Sequence, residues 1–333
     1  MAESYKAATR EALALRSAIA PWLSRYGTGF ALVLLILFNF AFTRNFATWQ
    51  TLNINLTQVS TIVIVGIGMT LVIGSGGIDL SVGSLMAIAA ALAPLIFLNR
   101  IIELPSIYVG VAVAFTIPVL LAGLFGLFNG WLITRYKVQP IVATLILFIA
   151  GRGIAQSFTD SNQVIFTTPE FQFIGLGRLF GIPVQVIIMA VIVALAMWAL
   201  RRTIFGKQIL AVGGNEAASR LAGVRVNRIK RQVYAISGIC SGIAGLIVIA
   251  RNSAADSNLV GLGVELDAIA AVAVGGTPLT GGRANVLGTL IGALIIQLVR
   301  FTLLANGVPD AAALVVKAAL IVLAVWLQRR VVI

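Results

Sequence analysis

Between positions 104 and 134 the chain carries no charged residue. The same holds for 45–78, 80–99, 179–200, 232–250 and 284–299. A helix needs roughly 20 mostly apolar residues to cross the hydrocarbon core of a bilayer. Several of these intervals meet that length, and backbone amides in lipid must be satisfied within the segment that carries them. The chain therefore reads as a bundle of membrane-spanning helices. Only 11% of its 333 residues are charged and 59% are hydrophobic, too little charge to cover a water-soluble surface.

The formal net charge of +13 would suit a nucleic-acid binder, but the positions of the charges argue against nucleic acid as a partner. Basic residues gather in short segments between apolar runs, the pattern of cytoplasmic loops. The densest segment, 201–231, holds Arg201, Arg202, Lys207, Arg220, Arg225, Arg228, Lys230 and Arg231 against one acid, Glu216. Arg135 and Lys137 mark another such loop, and Arg329 and Arg330 mark the C-terminus. Segments 99–106, 160–183 and 251–265 are relatively more acidic and are placed outside.

These anchors predict crossings near 27–43, 52–74, 84–98, 107–134, 138–158, 184–200, 232–250, 265–279, 284–304 and 311–328. The expected fold is an all-α membrane protein, a polytopic bundle of about ten transmembrane helices, with both termini cytoplasmic. Residues 1–26 form a cytoplasmic N-terminal segment, 27–328 the transmembrane domain with a cytoplasmic loop 201–231, and 329–333 a cytoplasmic tail. The polar, mixed-charge start and the lack of a small-residue cleavage site make the first apolar run a retained helix. The 265–279 run is short enough to be a re-entrant half-helix, as is part of 74–90.

Two segments match. Gly76-Gly77-Ile78-Asp79-Leu80-Ser81-Val82-Gly83 and Gly275-Gly276-Thr277-Pro278-Leu279-Thr280-Gly281-Gly282 share Gly-Gly-x-(Asp/Pro)-Leu-(Ser/Thr)-x-Gly, and each follows an apolar run. Paired glycine- or proline-interrupted segments in two halves of a chain point to a transport path built on broken helices. Ordinary turns between helices are the plainer alternative.

Intramembrane ionisable residues are the default functional candidates. Here they are Asp79, Arg152, Asp267, Arg300 and Lys317. Asp79 stands at a helix start, where a carboxylate either caps free N–H groups or meets a solute. Arg152 marks an interface, Asp267 faces water near a helix start, and Lys317 either snorkels outward or takes part in the path. Asn53, Asn55, Gln58, Asn129, Gln139 and Gln297 are amides in or beside spans, read as interhelical glue with a subset lining a wet cavity. Gly66-x-Gly68, Gly123-x-x-Gly126 and Gly238-x-x-x-Gly242 predict close helix contact.

Enzymatic readings find no support. The chain has no histidine, so neither a Ser-His-Asp set nor an HExxH site is possible. Gly206-Lys207 is followed by Gln208, so the phosphate-binding Gly-x-x-x-x-Gly-Lys-(Ser/Thr) sequence is absent and no ATP site is recognisable. No catalytic residue, metal or cofactor is expected. The single cysteine, Cys240, lies within an apolar stretch and forms no intrachain disulfide.

Within 201–231, Asn215 is positioned to cap a short helix, 216–222, that Gly223 ends. Glu216 and Arg220 make an i,i+4 pair in the favourable order. Such a helix either rests on anionic lipid heads or docks a cytoplasmic partner.

Residues 77–84, Gly-Ile-Asp-Leu-Ser-Val-Gly-Ser, resemble the signature of bacterial ATP-binding-cassette (ABC) sugar-importer permeases of the ribose, xylose and galactose class. The resemblance continues through 128–130, 139–145, 151–153, 213–218, 222–224, 270–276 and 281–283. Residues 142–147, 150–156 and 265–269 lean toward a permease subunit of the galactofuranose importer. The resemblance implies a permease subunit in the bacterial inner membrane that carries a monosaccharide, pentose or hexose. Its implied partners are a cytoplasmic ATP-binding-cassette ATPase, a second permease chain (homologous or identical), a periplasmic sugar-binding protein and the lipid bilayer. Asn215, Glu216, Ala217, Ala218, Arg220 and Gly223 would dock the ATPase. Asp79, Ser81, Asn129, Gly275, Gly276 and Thr277 would belong to the substrate path. The alternative is an ion-coupled secondary transporter of a small polar solute, which would want acids or histidines deep in the bundle.

Overall fold

The computed structural model describes residues 27–309, 311–316, 318, 319 and 322. The N-terminal segment 1–26, Lys317, the tail 329–333 and most of the last expected crossing beyond 316 lie outside the described residues. Twelve helices are labelled here in chain order. They are α1 (Gly27–Phe42), α2 (Trp49–Gly74), α3 (Val82–Phe97), α4 (Ile107–Tyr136), α5 (Pro140–Thr159), α6 (Pro169–Leu176), α7 (Val184–Arg202), α8 (Ile204–Gly214), α9 (Glu216–Leu221), α10 (Val226–Asn252), α11 (Val264–Val274) and α12 (Val286–Ala305). Residues 311–316, 318, 319 and 322 are also helical, and there are two small antiparallel pairs: β1 (Val164–Ile165) with β4 (Ala254–Ala255), and the hairpin β2 (Arg178–Leu179) with β3 (Ile182–Pro183).

The chain is an all-α membrane protein. Among the described residues, α2, α4, α5, α7, α10 and α12 are long and apolar enough to cross a membrane. The expected crossings 27–43 and 84–98 coincide with the shorter apolar helices α1 and α3. The expected crossing 265–279 is the 11-residue α11, about 16 Å long and only half a bilayer core. Helix α10 begins six residues before its apolar stretch, because Arg228, Lys230 and Arg231 are good helix formers and do not stop a helix.

Helices α2, α3 and α10 form the centre, and every residue of α3 is buried. Of the membrane-length windows of α2 and α10, 78% and 72% are buried, against 33%, 28% and 22% for α4, α5 and α7. The expected glycine contacts occur, and two of the three motifs face each other. A Cβ on Gly126 of α4 would strike the Tyr234 carbonyl of α10, and one on Gly238 would strike the Ala122 carbonyl of α4. Missing side chains let these two backbones pack directly, which is how helices gain contact where lipid offers no hydrophobic drive. Gly68 of α2 packs on the Ser237 backbone, and a Cβ there would lie 2.9 Å from its Cα. Buried polar groups tie the same centre together. Gln297 of α12 donates to Asn55 and Gln58 of α2 at 3.3 and 2.5 Å, and Thr70 meets Thr289 at 2.7 Å. The amide-glue reading thus applies to Asn55, Gln58 and Gln297. Asn53 bonds only within its own helix, to the Trp49 carbonyl, and Gln139 is exposed at the start of α5.

Candidate functional site

The first break joins α2 to α3. Helix α2 ends in a turn in which Gly76 N–H donates to Ile73 O and Gly77 N–H to Val72 O. This geometry needs a left-handed residue, and Gly76 supplies it at φ +82°. Three residues on, Asp79 is fully buried. Its Oδ1 accepts from Ser81 N–H at 3.0 Å and from Ser81 Oγ at 2.6 Å, and its Oδ2 accepts from Ser237 Oγ of α10 at 2.8 Å. Asn129 of α4 donates to Ser81 Oγ at 2.9 Å. Tyr234 of α10 donates to Ile78 O at 3.2 Å. One carboxylate thus fastens the start of α3 to α10, and through Ser81 to α4. Asp79 caps the N–H of the boundary residue Ser81, not those of the helical residues beyond it.

Sequence reasoning gathered Asp79, Ser81 and Asn129 but missed Ser237 and Tyr234. Their signal was available: a hydroxyl in an uncharged span requires a partner, and Ser237 stands beside Gly238 on the face packed against α2 and α4. Asn129 Oδ1 is buried without a hydrogen-bond partner.

The second break joins α11 to α12. Gly276 N–H donates to Ala273 O and Thr277 N–H to Val272 O, with Gly276 again at φ +82°. The two turns have the same hydrogen-bond pattern and the same left-handed residue when Gly76 is paired with Gly276. The sequence match paired Gly77 with Gly276, so the structural register is shifted by one. Here the return path is held by amide and hydroxyl groups. Thr277 Oγ1 accepts from Asn285 N–H at 3.0 Å. Asn285 Nδ2 donates to Gly275 O at 3.2 Å, and Asn285 Oδ1 caps α12 by accepting from Gly288 N–H at 3.0 Å. Thr277 and Gly275 are buried; Gly276 is exposed.

The two breaks touch each other and a third glycine turn. Gly282 N–H donates to Gly74 O at 3.1 Å. Gly213, at the end of α8, lies against both: a Cβ on it would strike Gly74 O and stand 2.6 Å from Gly282 N. A Cβ on Gly282 would stand 2.9 Å from the Gly214 Cα. Helix α9 begins three residues after Gly213. Segment 201–231 is therefore largely helical. Helix α8 was not expected, although Thr203 marks its start and caps it by accepting from Gly206 N–H at 3.2 Å.

Helix α9 forms as its sequence dictates. Asn215 Oδ1 accepts from Ala218 N–H at 2.9 Å, and Gly223 turns the chain at φ +81°. Glu216 pairs with Arg220 at 2.9 Å and also with Lys230 of α10 at 2.5 Å. The Lys230 hydrogen bond, with Arg220 adding to it, holds the Glu216 carboxyl below its ordinary pKa against a smaller opposing desolvation. Asn215, Glu216, Ala217 and Ala218 are exposed, as is Leu221 at 91%. An exposed leucine on a helix this short leaves an apolar knob unburied.

The remaining ionisable candidates serve other places. Arg152 of α5 donates to the carbonyls of Ser257 and Val260 at 2.9 and 2.6 Å, fastening the segment before α11. Asp267 lies with Glu265 in the first turn of α11, where negative charge suits a helix start. Arg300 is exposed on α12.

The family model described as branched-chain amino acid transport system / permease component matches residues 51–325. The ribose import permease protein RbsC of Escherichia coli K12 is 39% identical over 313 residues, 93% of this chain and 95% of the relative. The galactofuranose transporter permease protein YtfT of the same organism is 42% identical over 280 residues, 82% of this chain and 78% of the relative. The L-arabinose ABC transporter permease protein AraH of Azospirillum brasilense is 33% identical over 318 residues, 93% of this chain and 91% of the relative. No solved structure matches the chain.

Proposed function

The chain belongs to the branched-chain amino acid transport system / permease component family, and from that premise we propose that α9 is the socket through which a separate ATPase works two jointed helices. Relatives named for ribose, galactofuranose and arabinose transport make it a permease subunit of a sugar importer of the ABC type, a subunit not catalytic on its own. The transported solute is proposed to be a monosaccharide, pentose or hexose, with galactofuranose among the candidates.

The observation that carries this reading is the three-way glycine contact. A push on α9 acts three residues away on Gly213, whose backbone touches the ends of both breaks. Packed backbone shifts as a body, so little motion is lost between socket and break. Orientation follows from charge: the basic segment 201–231 is proposed to face the cytoplasm, together with both termini, in the bacterial inner membrane. Asn215, Glu216, Ala217, Ala218, Arg220 and Gly223 form the docking surface. The path is proposed to run beside a second permease chain, fed by a periplasmic binding protein. Asp79, Ser81, Asn129, Gly275, Gly276 and Thr277 belong to it as the groups that fix where α3 and α11 begin and end, since all but Gly276 are buried within one chain.

The test is ATP-driven sugar uptake in vesicles containing the chain, its ATPase, the partner permease and the binding protein. Glu216→Arg abolishes uptake and ATPase association together. Gly213→Ala, which forces a methyl into the Gly74 and Gly282 backbones, lowers uptake by an order of magnitude or more while the ATPase stays bound. Uptake that persists without any ATPase overturns the reading.

A further inference from the structure

Helix α4 segregates its side chains by size. Toward α10 it presents small residues, Ala122, Gly123, Gly126 and Gly130; outward it presents large ones. Leu120, Leu124, Leu127, Phe128 and Trp131 are 60%, 59%, 38%, 45% and 36% exposed. Their spacing puts them on one face, and from Leu120 to Trp131 this rail is about 16 Å long, half the hydrocarbon thickness. It is the length of one leaflet. Phe128 and Trp131 stack at its end, with ring centroids 5.8 Å apart. Aromatic rings of this kind gather at the level of lipid headgroups.

The rail runs into a cavity of about 530 Å³ between Leu127 and the turn that enters α10. Arg220, Arg225, Arg228 and Arg231 line it, and no acid does among the described residues. Arg220 is engaged by Glu216, the acid that also holds Lys230. Arg231 is oriented by Thr134 Oγ1 of α4, to which its Nε donates at 2.8 Å. Arg225 and Arg228 are exposed on the same rim. Three arginines thus line one cavity with no carboxylate among its described lining, and a guanidinium fork matches phosphate oxygens.

We infer that this cavity binds an anionic phospholipid, its phosphate held by Arg225, Arg228 and Arg231 and an acyl chain laid along α4 from Leu127 to Leu120. The charge alone would suit a free phosphate or an acidic patch on the ATPase. The continuous apolar rail of leaflet length is what favours a lipid, since neither alternative uses it. Each basic residue near a membrane surface strengthens anionic-lipid binding about fivefold.

The experiment uses the full chain purified in a neutral detergent with equal amounts of phosphatidylglycerol and phosphatidylcholine, the retained lipid being counted by native mass spectrometry. The wild type retains phosphatidylglycerol selectively. Arg225→Gln with Arg228→Gln lowers that retention more than tenfold without changing phosphatidylcholine, and Arg225→Lys with Arg228→Lys restores most of it. Leu124→Ala with Leu127→Ala lowers phosphatidylglycerol retention but leaves inorganic phosphate binding unchanged. Should the paired Gln variant fail to accumulate, Arg228→Gln alone, a change to an exposed side chain, gives the same reading at about fivefold. Unchanged selectivity in the Gln variants overturns the inference. So does displacement of phosphatidylglycerol by inorganic phosphate at equal concentration. Loss of ATPase association with phosphatidylglycerol still retained also overturns it, and assigns the rim to the ATPase.

Discussion

The two broken-helix segments end their first helices in the same way and begin their second helices in opposite ways. Gly76 and Gly276 share a φ of +82° and the same pair of closing hydrogen bonds. Beyond that turn, the α2–α3 break is closed by a buried carboxylate that accepts three hydrogen bonds. The α11–α12 break takes a longer route, with Thr280, Arg283 and Asn285 exposed, and is closed by neutral groups. A carboxylate inside a membrane protein is tolerated only where its partners are in place. We therefore propose that the first break is the anchored joint and that the second, held by neutral groups, is the one that yields.

The contrast is broken most directly by deleting the anchors. Asp79→Ala leaves the Ser81 N–H and the Ser81 and Ser237 hydroxyls without their acceptor, at about 1–3 kcal/mol for each buried group left unpaired. The expected result is a loss of at least 3 kcal/mol, seen as a large fall in the thermal unfolding midpoint in detergent, with uptake lost in parallel. Asn285→Ala removes a helix cap and one side-chain bond to a carbonyl, about 1 kcal/mol. A larger destabilisation from Asn285→Ala than from Asp79→Ala would reverse the assignment of anchor and yielding joint.

The register of the repeat gives the next test. A methyl at Gly76 meets only ordinary contact, 3.6 Å from the Gly213 Cα, and one at Gly276 meets nothing within 4 Å. Both Ala variants then lose stability by the same backbone term, about 1–2 kcal/mol. At Gly77 the methyl collides with Tyr234 Oη, a side chain that can move. Equal unfolding midpoints for Gly76→Ala and Gly276→Ala support the structural pairing. A marked difference between them returns the pairing to Gly77 with Gly276.

The sequence displayed the breaks but not their alignment, and the reason is physical. Glycine doublets are visible as letters, whereas which glycine takes the left-handed conformation depends on where the preceding helix runs out of hydrogen bonds. The spans were legible because lipid imposes length and freedom from charge. Helix α9 was legible because capping is local: Asn215, Glu216, Arg220 and Gly223 suffice. Helix α8 was obscured by its basic surroundings. The Ser237 hydroxyl in an uncharged span announces that it needs a partner but not which one, and the meeting of Gly74, Gly213 and Gly282 joins residues more than 65 positions apart with no local pattern to mark it.

The smallest expected effect concerns how the socket loads the two joints. The folded-state pKa of Glu216 is depressed, chiefly by Lys230. Its contribution is therefore fully present above the ordinary carboxylate value and is lost as pH falls through the depressed one. Surface ion pairs are worth about 0.2–1 kcal/mol, so acidification below the carboxylate range frays α9 by no more than about fivefold without unfolding the bundle. Hydrogen exchange at pH 7 and at about pH 2, normalised to intrinsic rates, reads this at Ala218–Ala222, and high salt at pH 7 reproduces part of it by screening. The loosened helix transmits its freedom through Gly213 and Gly214. The Gly282 amide, whose hydrogen bond to Gly74 crosses between the breaks, then exchanges faster, while the Ser81 amide held by Asp79 does not. Equal acceleration at both amides would mean that the buried carboxylate anchors nothing the neutral joint lacks, and the difference between the two breaks would lie in sequence alone.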